Sequence, residues 1–183
     1  MRVIAAAATD VGLVRANNED SFLVDDEHGC YAVADGMGGH RGGEVASATA
    51  VEALRAAVAG GTPINEAIGR ANDAVLTKAA DDPALTGMGT TVTAVTVDAD
   101  ALTIGHVGDS RAYLIRDGAL RMITDDHSLV GEWIRAGRLT VEQAEVHPRR
   151  SVITRCLGSI PDVEVDVIVL DVGAGDRKST RLN

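Results

Sequence analysis

The chain has 183 residues, 45% of them hydrophobic and 24% charged, which supplies enough apolar material for one folded domain and too little length for two independent ones. Its formal net charge of −10 and its four aromatics, Trp133, Tyr31, Tyr113 and Phe22, argue against a protein that holds nucleic acid by phosphate contacts and base stacking. The same acidity suits cation binding.

Residues 3–8 form an apolar run after Arg2 that is too short for a signal peptide and stops at Asp10, so it reads as a first strand. No segment reads as membrane-spanning. Residues 21–24 and 30–34 are further strands, separated by Asn, Asp, Glu and Gly. Residues 43–59 switch to helical spacing, with Val51, Leu54 and Val58 on one stripe and a Gly60-Gly61 stop. Thr62 reads as the N-cap of a second helix with Pro63 at its first position, and Ile64, Ile68, Ala71 and Val75 mark its apolar side as far as Ala80.

After the Asp81-Asp82-Pro83 break, residues 90–97, 102–107, 111–115 and 119–123 read as a β-meander, the last two joined by the hairpin signal Asp117-Gly118. Short helices follow at 128–136 and 140–146, the second opening on the capping box Thr140 to Gln143. Residues 163–170 alternate valines with Glu164 and Asp166 and close the pattern as a strand. Consecutive strands with helices paired between them predict antiparallel sheets covered by helices, not a parallel βαβ fold. Cys30 and Cys156 lack metal-site spacing and read as free thiols in a reducing compartment.

Three acidic loops adjoin these strands: Asn18-Glu19-Asp20, Asp35-Gly36-Met37-Gly38-Gly39 and Gly108-Asp109-Ser110-Arg111. Carboxylates and carbonyls are the hard oxygen donors that Mg²⁺ and Mn²⁺ prefer, and such ions keep several waters, so few protein ligands suffice. Gly36 has no Cβ to keep its carbonyl from an ion. Two carboxylates about 4 Å apart repel by roughly 4 kcal/mol at an effective dielectric near 20, so a cluster of them requires a cation or a proton.

The order of Thr9 to Ser21 (TDVGLVRANNEDS), Ala34 to His40 (ADGMGGH), Gly87 to Thr91 (GMGTT) and His106 to Arg111 (HVGDSR) resembles the bacterial branch of the PPM family of metal-dependent protein serine/threonine phosphatases, also called type 2C. The resemblance implies an α+β, four-layer α-β-β-α sandwich of two antiparallel sheets flanked by helices, over residues 1–177, with a flap subdomain at about 125–158. It implies two Mn²⁺ or Mg²⁺ ions, with a third, weaker one, and a water that attacks phosphorus directly. By match to the motifs, Asp35 would bridge the two ions and the Gly36 carbonyl would bind one. Glu19 and Asp20 would hold direct or water-mediated positions, Asp109 would serve the third ion, and Arg15 would bind the substrate phosphate. Asp35 and Asp20 are therefore the expected catalytic residues. Arg111 and the Gly87 to Thr91 stretch read as structural.

Two departures bear on this expectation. Met37 stands where eukaryotic relatives carry a histidine proposed as general acid, and His40 lies nearby but not at that position. The chain ends in the polar residues 178–183, without the family's later hydrophobic Ser-Asp-Gly strand and Asp-Asn, so it reads as C-terminally truncated with an incomplete second ion site. The resemblance implies phosphoprotein substrates, serine/threonine kinases as counterparts, a cytoplasmic monomer, and no nucleic acid or membrane partner. The competing readings are a catalytically impaired fragment acting as a binding module, and a metal-dependent phosphodiesterase.

Overall fold

The computed structural model describes residues 3–13, 15–38, 42–98, 101–171 and 177–181. In chain order its elements are β1 (Asp20–Asp25), β2 (Cys30–Met37), α1 (Gly42–Ala59), α2 (Ile64–Asp81), β3 (Gly89–Thr90), β4 (Val92–Val97), β5 (Ala101–Val107), β6 (Arg111–Arg116), β7 (Ala119–Met122), α3 (Leu129–Arg135), α4 (Val141–Glu145), β8 (Asp166–Asp171) and β9 (Arg177–Arg181). The larger sheet runs β1-β2-β4-β5-β8, with β3 paired to the end of β2, and the smaller runs β7-β6-β9. Every pairing is antiparallel. The result is the expected α+β architecture of two antiparallel sheets and helices.

Helices α1 and α2 pack on one face of the larger sheet because their buried positions recur every three or four residues. Ala46, Ala50, Leu54 and Ala57 do so on α1, and Ile64, Ala67, Ile68, Ala71 and Val75 on α2. They meet Leu23, Cys30, Ala32, Ala34, Val92, Ala94 and Val107 of the sheet. Most of these side chains are small, so the helices lie close. A Cβ on Gly105 would fall 2.5 Å from the Ile68 side chain. Leu54, fully buried, contributes about 2 kcal/mol by removal from water.

Alternation along the strands sends Asp35, Thr93 and His106 to the other face. Asp20 pairs with Asp35, and Thr93 with both Val33 and His106. Because neighbouring strands run in opposite directions, the start of β1, the end of β2, the start of β4 and the end of β5 lie at one edge of the sheet. All three acidic loops are delivered to that edge.

Several expectations are met closely. Asp117 and Gly118 take φ of 52° and 76°, the left-handed pair that a two-residue hairpin needs. Thr140 and Gln143 form the reciprocal capping box, and Ser128 caps α3.

Others are corrected. Residues 3–8 form no strand: four of the six are alanines, which bury little and favour sheet weakly. Pro63, not Thr62, occupies the N-cap of α2, because its carbonyl accepts the first helical bond from Ala67 N–H while Thr62 N–H closes α1 on the Ala57 carbonyl. The meander is split, with β4 and β5 in the larger sheet and β6 and β7 in the smaller. The strand at 163–170 begins only at Asp166. Residues 177–181, a polar segment outside the expected strands, pair as β9 along β6, whose open edge asks only for backbone donors and acceptors. No described helix is long and apolar enough to cross a membrane. Cys30 and Cys156 are free thiols, and burial pushes Cys30 up to about 12.

Candidate metal and phosphate site

The register of β1 on β2 sets Asp20 directly opposite Asp35. Glu19 precedes β1, and its main chain is pinned: its carbonyl accepts from Gly36 N–H at 3.1 Å and from the Ser47 hydroxyl at 2.6 Å. Space here is minimal. A Cβ on Gly36 would lie 2.0 Å from the Gly43 carbonyl oxygen and 2.6 Å from that of Glu19, and a Cβ on Gly43 would lie 2.5 Å from Glu19 Oε1. The start of α1 therefore approaches the site through glycines alone, with the Glu19 carboxylate against it.

Asp35 is the electrostatic centre. Burial foremost, and then the charges of Asp20, Asp109 and Glu19, push its carboxyl up to about 6, while the Arg15 guanidinium pulls the other way. Residues from three loops thus act on one carboxylate. Asp20 is also raised, chiefly by burial, against the opposing effects of Arg15 and a hydrogen bond with the Thr9 side chain. Arg15 is more than half exposed and reaches Glu19 Oε2 at 3.5 Å, a loose contact that leaves much of its planar fork open.

The Asp35 backbone is fixed by two threonines. Its N–H donates to Thr91 Oγ1 at 3.0 Å, and its carbonyl accepts from Thr91 N–H at 2.9 Å and Thr90 Oγ1 at 2.9 Å. Thr91 Oγ1 also meets Ser110 Oγ at 2.7 Å, which ties the Asp109 loop to the Asp35 loop. The Gly87 to Thr91 stretch, read from sequence as a tight backbone start to a strand, thus couples the two acidic loops. Arg111 pairs with both oxygens of Asp126 at 2.6 and 2.8 Å. Arg149 and Arg150 lie in an exposed turn after His147. His40 lies outside the described residues.

Two histidines behind the Asp109 loop escape sequence reasoning. His106 donates from Nε2 to the Asp125 carbonyl and accepts from Thr93 Oγ1 at Nδ1, and burial holds it down to about 4. His127 stands with its ring 4.8 Å from that of His106. Their partners come from distant segments, so no local spacing reveals them. The place of His106 inside the HVGDSR motif is the only available signal.

The donors around Asp35 are all hard oxygens, with a glycine backbone where a Cβ would block approach, and this chemistry fits a divalent cation such as Mn²⁺ or Mg²⁺. Among the described residues, no group of three His, Cys, Asp or Glu side chains is placed to hold an ion by itself. Asp20, Glu19 and Asp109 therefore act on Asp35 through space without forming a closed cage, an arrangement suited to an ion that keeps waters.

The family profile described as protein phosphatase 2C matches residues 14–161. The chain belongs to the protein phosphatase 2C family. It is 43% identical over 178 residues to the serine/threonine protein phosphatase PstP of Mycobacterium tuberculosis, covering 94% of this chain and 34% of that protein. It is 39% identical over 181 residues to the serine/threonine phosphatase stp of Listeria monocytogenes, covering 92% of this chain and 72% of that one. A solved structure of the PstP catalytic domain in complex with two manganese ions superposes with a TM-score of 0.83 at 39% identity, over 94% of this chain and 74% of its own. The chain thus spans about a third of the mycobacterial protein's length.

Proposed function

We propose that the protein hydrolyses phosphoserine and phosphothreonine esters on other proteins in a Mn²⁺- or Mg²⁺-dependent reaction. One observation carries this reading: Asp20, Glu19 and Arg15 from one loop and Asp109 from another all act on the half-buried Asp35 in a chain of the protein phosphatase 2C family. Asp35 and the Gly36 carbonyl would hold the ions, Glu19 and Asp20 would support them directly or through water, and Asp109 would serve a third. When bound, such ions supply an acidified water as nucleophile and offset the charge of the phosphate.

The chain's own residues supply position and charge. Arg15, with its guanidinium largely exposed, grips two phosphate oxygens and aligns the ester over Asp35. The threonine-fixed Asp35 main chain holds the point from which its carboxylate projects before substrate arrives. Residues 125–158 form the flap subdomain of a phosphatase domain spanning 1–177. Phosphorylated proteins, and the serine/threonine kinases that make them, are the partners in signal transduction. A cytoplasmic monomer is the working form, and the two free thiols support a reducing compartment.

The test is phosphate release from a phosphothreonine peptide with added Mn²⁺. Release that stops with chelator and in Asp35→Ala, and whose KM rises in Arg15→Lys, supports the reading. Release indifferent to chelator or to Asp35→Ala refutes it, and Mn²⁺ binding without turnover assigns the chain to a binding role instead.

A further inference from the structure

The backbone around Asp109 is held from two sides. On one side Ser110 is fixed by its Oγ to Thr91 Oγ1 at 2.7 Å. Gly108 takes φ +117°, and a Cβ there would fall 2.5 Å from the Thr91 side chain, so the loop is pressed against Thr91. On the other side stands His127. Its N–H donates to the Gly108 carbonyl at 2.8 Å, and Gly108 N–H donates to His127 Nδ1 at 3.0 Å. Both backbone polar groups of Gly108 are engaged by one residue.

Because Nδ1 accepts, the neutral ring carries its proton on Nε2, which donates to Asp166 Oδ2 at 3.1 Å. Arg155 Nη1 donates to the other oxygen of the same carboxylate at 2.6 Å. The His127 carbonyl accepts from Thr154 N–H at 2.8 Å, so the ring and the backbone of His127 are both fixed by residues of, or just beyond, the 125–158 segment.

We propose that His127 is a positioning residue for Asp109: by fixing the Gly108 peptide it sets where the Asp109 carboxylate stands relative to Asp35, and it makes divalent-ion affinity at Asp109 depend on the 125–158 segment. This rests on the assignment of Asp109 as an ion ligand made above. A histidine that merely satisfied the core would affect stability and leave ion affinity alone, whereas outer partners that orient a ligand typically change affinity by about 10–100-fold.

Three substitutions in the full chain separate these cases, read by Mn²⁺ calorimetry with thermal unfolding as a check on folding. Asparagine can place Oδ1 where Nδ1 stood and accept from Gly108, whereas glutamine keeps a donor toward Asp166 and loses that acceptor. The expected result is a weaker Mn²⁺ step lost in Asp109→Ala, weakened about 10–100-fold in His127→Gln, and restored toward the unchanged chain in His127→Asn. Equal affinities in the two His127 variants, with Asp109→Ala still weakened, overturn the inference alone. An isotherm unchanged by Asp109→Ala, or an unchanged chain that binds no Mn²⁺, overturns the ligand assignment and the inference with it.

Should the His127 variants fail to fold, the unchanged chain decides by ¹⁵N NMR. Support is a bare Nδ1 and protonated Nε2, with the His127 ring and Gly108 amide signals shifting together as Mg²⁺ saturates. A protonated Nδ1, or signals that stay put at saturating Mg²⁺, overturns it.

Discussion

Replacing Asp35 with asparagine should make the ion-free chain more stable. Burial and three neighbouring carboxylates raise Asp35 from 3.8 to about 6. At about 1.4 kcal/mol per pH unit across that gap, discounted for the carboxylate's partial exposure to solvent, its ionised form costs the ion-free fold about 2–3 kcal/mol at pH 8. The asparagine amide keeps the shape and sheds the charge. For a chain of this length that corresponds to a rise in Tm of roughly 5–10 °C. The sign follows from linkage: the folded carboxyl binds its proton more tightly than the unfolded one, so the cost is absent below about pH 3.8 and complete above about pH 6. The assay is thermal unfolding of both proteins in chelator from pH 3.5 to 8, repeated with Mn²⁺. The Tm difference should open between pH 4 and 6 and then level off, and added Mn²⁺ should reverse the order by stabilising only the natural chain. An Asp35→Asn variant no more stable than the parent at pH 8 in chelator, or a gain independent of pH, would refute the charge-repulsion argument.

Gly36→Ala should cost about 3 kcal/mol in urea unfolding and weaken Mn²⁺ binding in calorimetry, since its methyl would meet the Gly43 carbonyl oxygen at 2.0 Å and force α1 away from Glu19. His106 should drive acid destabilisation. Its folded pKa of about 4 lies below the unfolded 6.5, so the stability due to its neutral form is complete above pH 6.5 and is lost as pH falls toward 4, by roughly 3 kcal/mol. Urea titrations at pH 7.5 and 4.5 should accordingly show the deficit of His106→Gln shrinking at the lower pH. Asn72→Ala should cost about 3 kcal/mol, because Asn72 accepts from Gly158 N–H at 2.9 Å and donates to the Ile160 carbonyl at 3.0 Å, and both would lose their partner. Limited proteolysis near residues 156–160 should accelerate in the same variant.

What the sequence reveals here follows the range of the physics involved. Asp117-Gly118 and the Thr140 capping box act within a few residues, and each forms as read. The stripe through Ile64, Ile68, Ala71 and Val75 likewise needs only helical spacing to be visible. Residues 3–8 mislead because hydrophobicity alone suggests a strand where alanines dominate, and β9 escapes notice because its pairing serves the edge of β6 and requires no apolar side chain. At the site, the motifs that carry the family resemblance contain Arg15, Glu19, Asp20, Asp35 and Asp109. The fastening behind them is another matter: His127 meets Gly108 across 19 residues and Asp166 across 39, distances at which no local pattern operates.

The layer between the helices and the larger sheet contains many alanines, among them Ala32, Ala34, Ala46, Ala50, Ala67, Ala71 and Ala94, all nearly inaccessible. Evolutionary drift there is one-sided. At these alanine positions little bulk remains to delete, whereas added methylenes press the helices away from the sheet. Because α1 also carries Gly43 against Glu19, enlargement deep in this seam would travel as a rigid displacement to the sheet edge that carries Asp20 and Asp35.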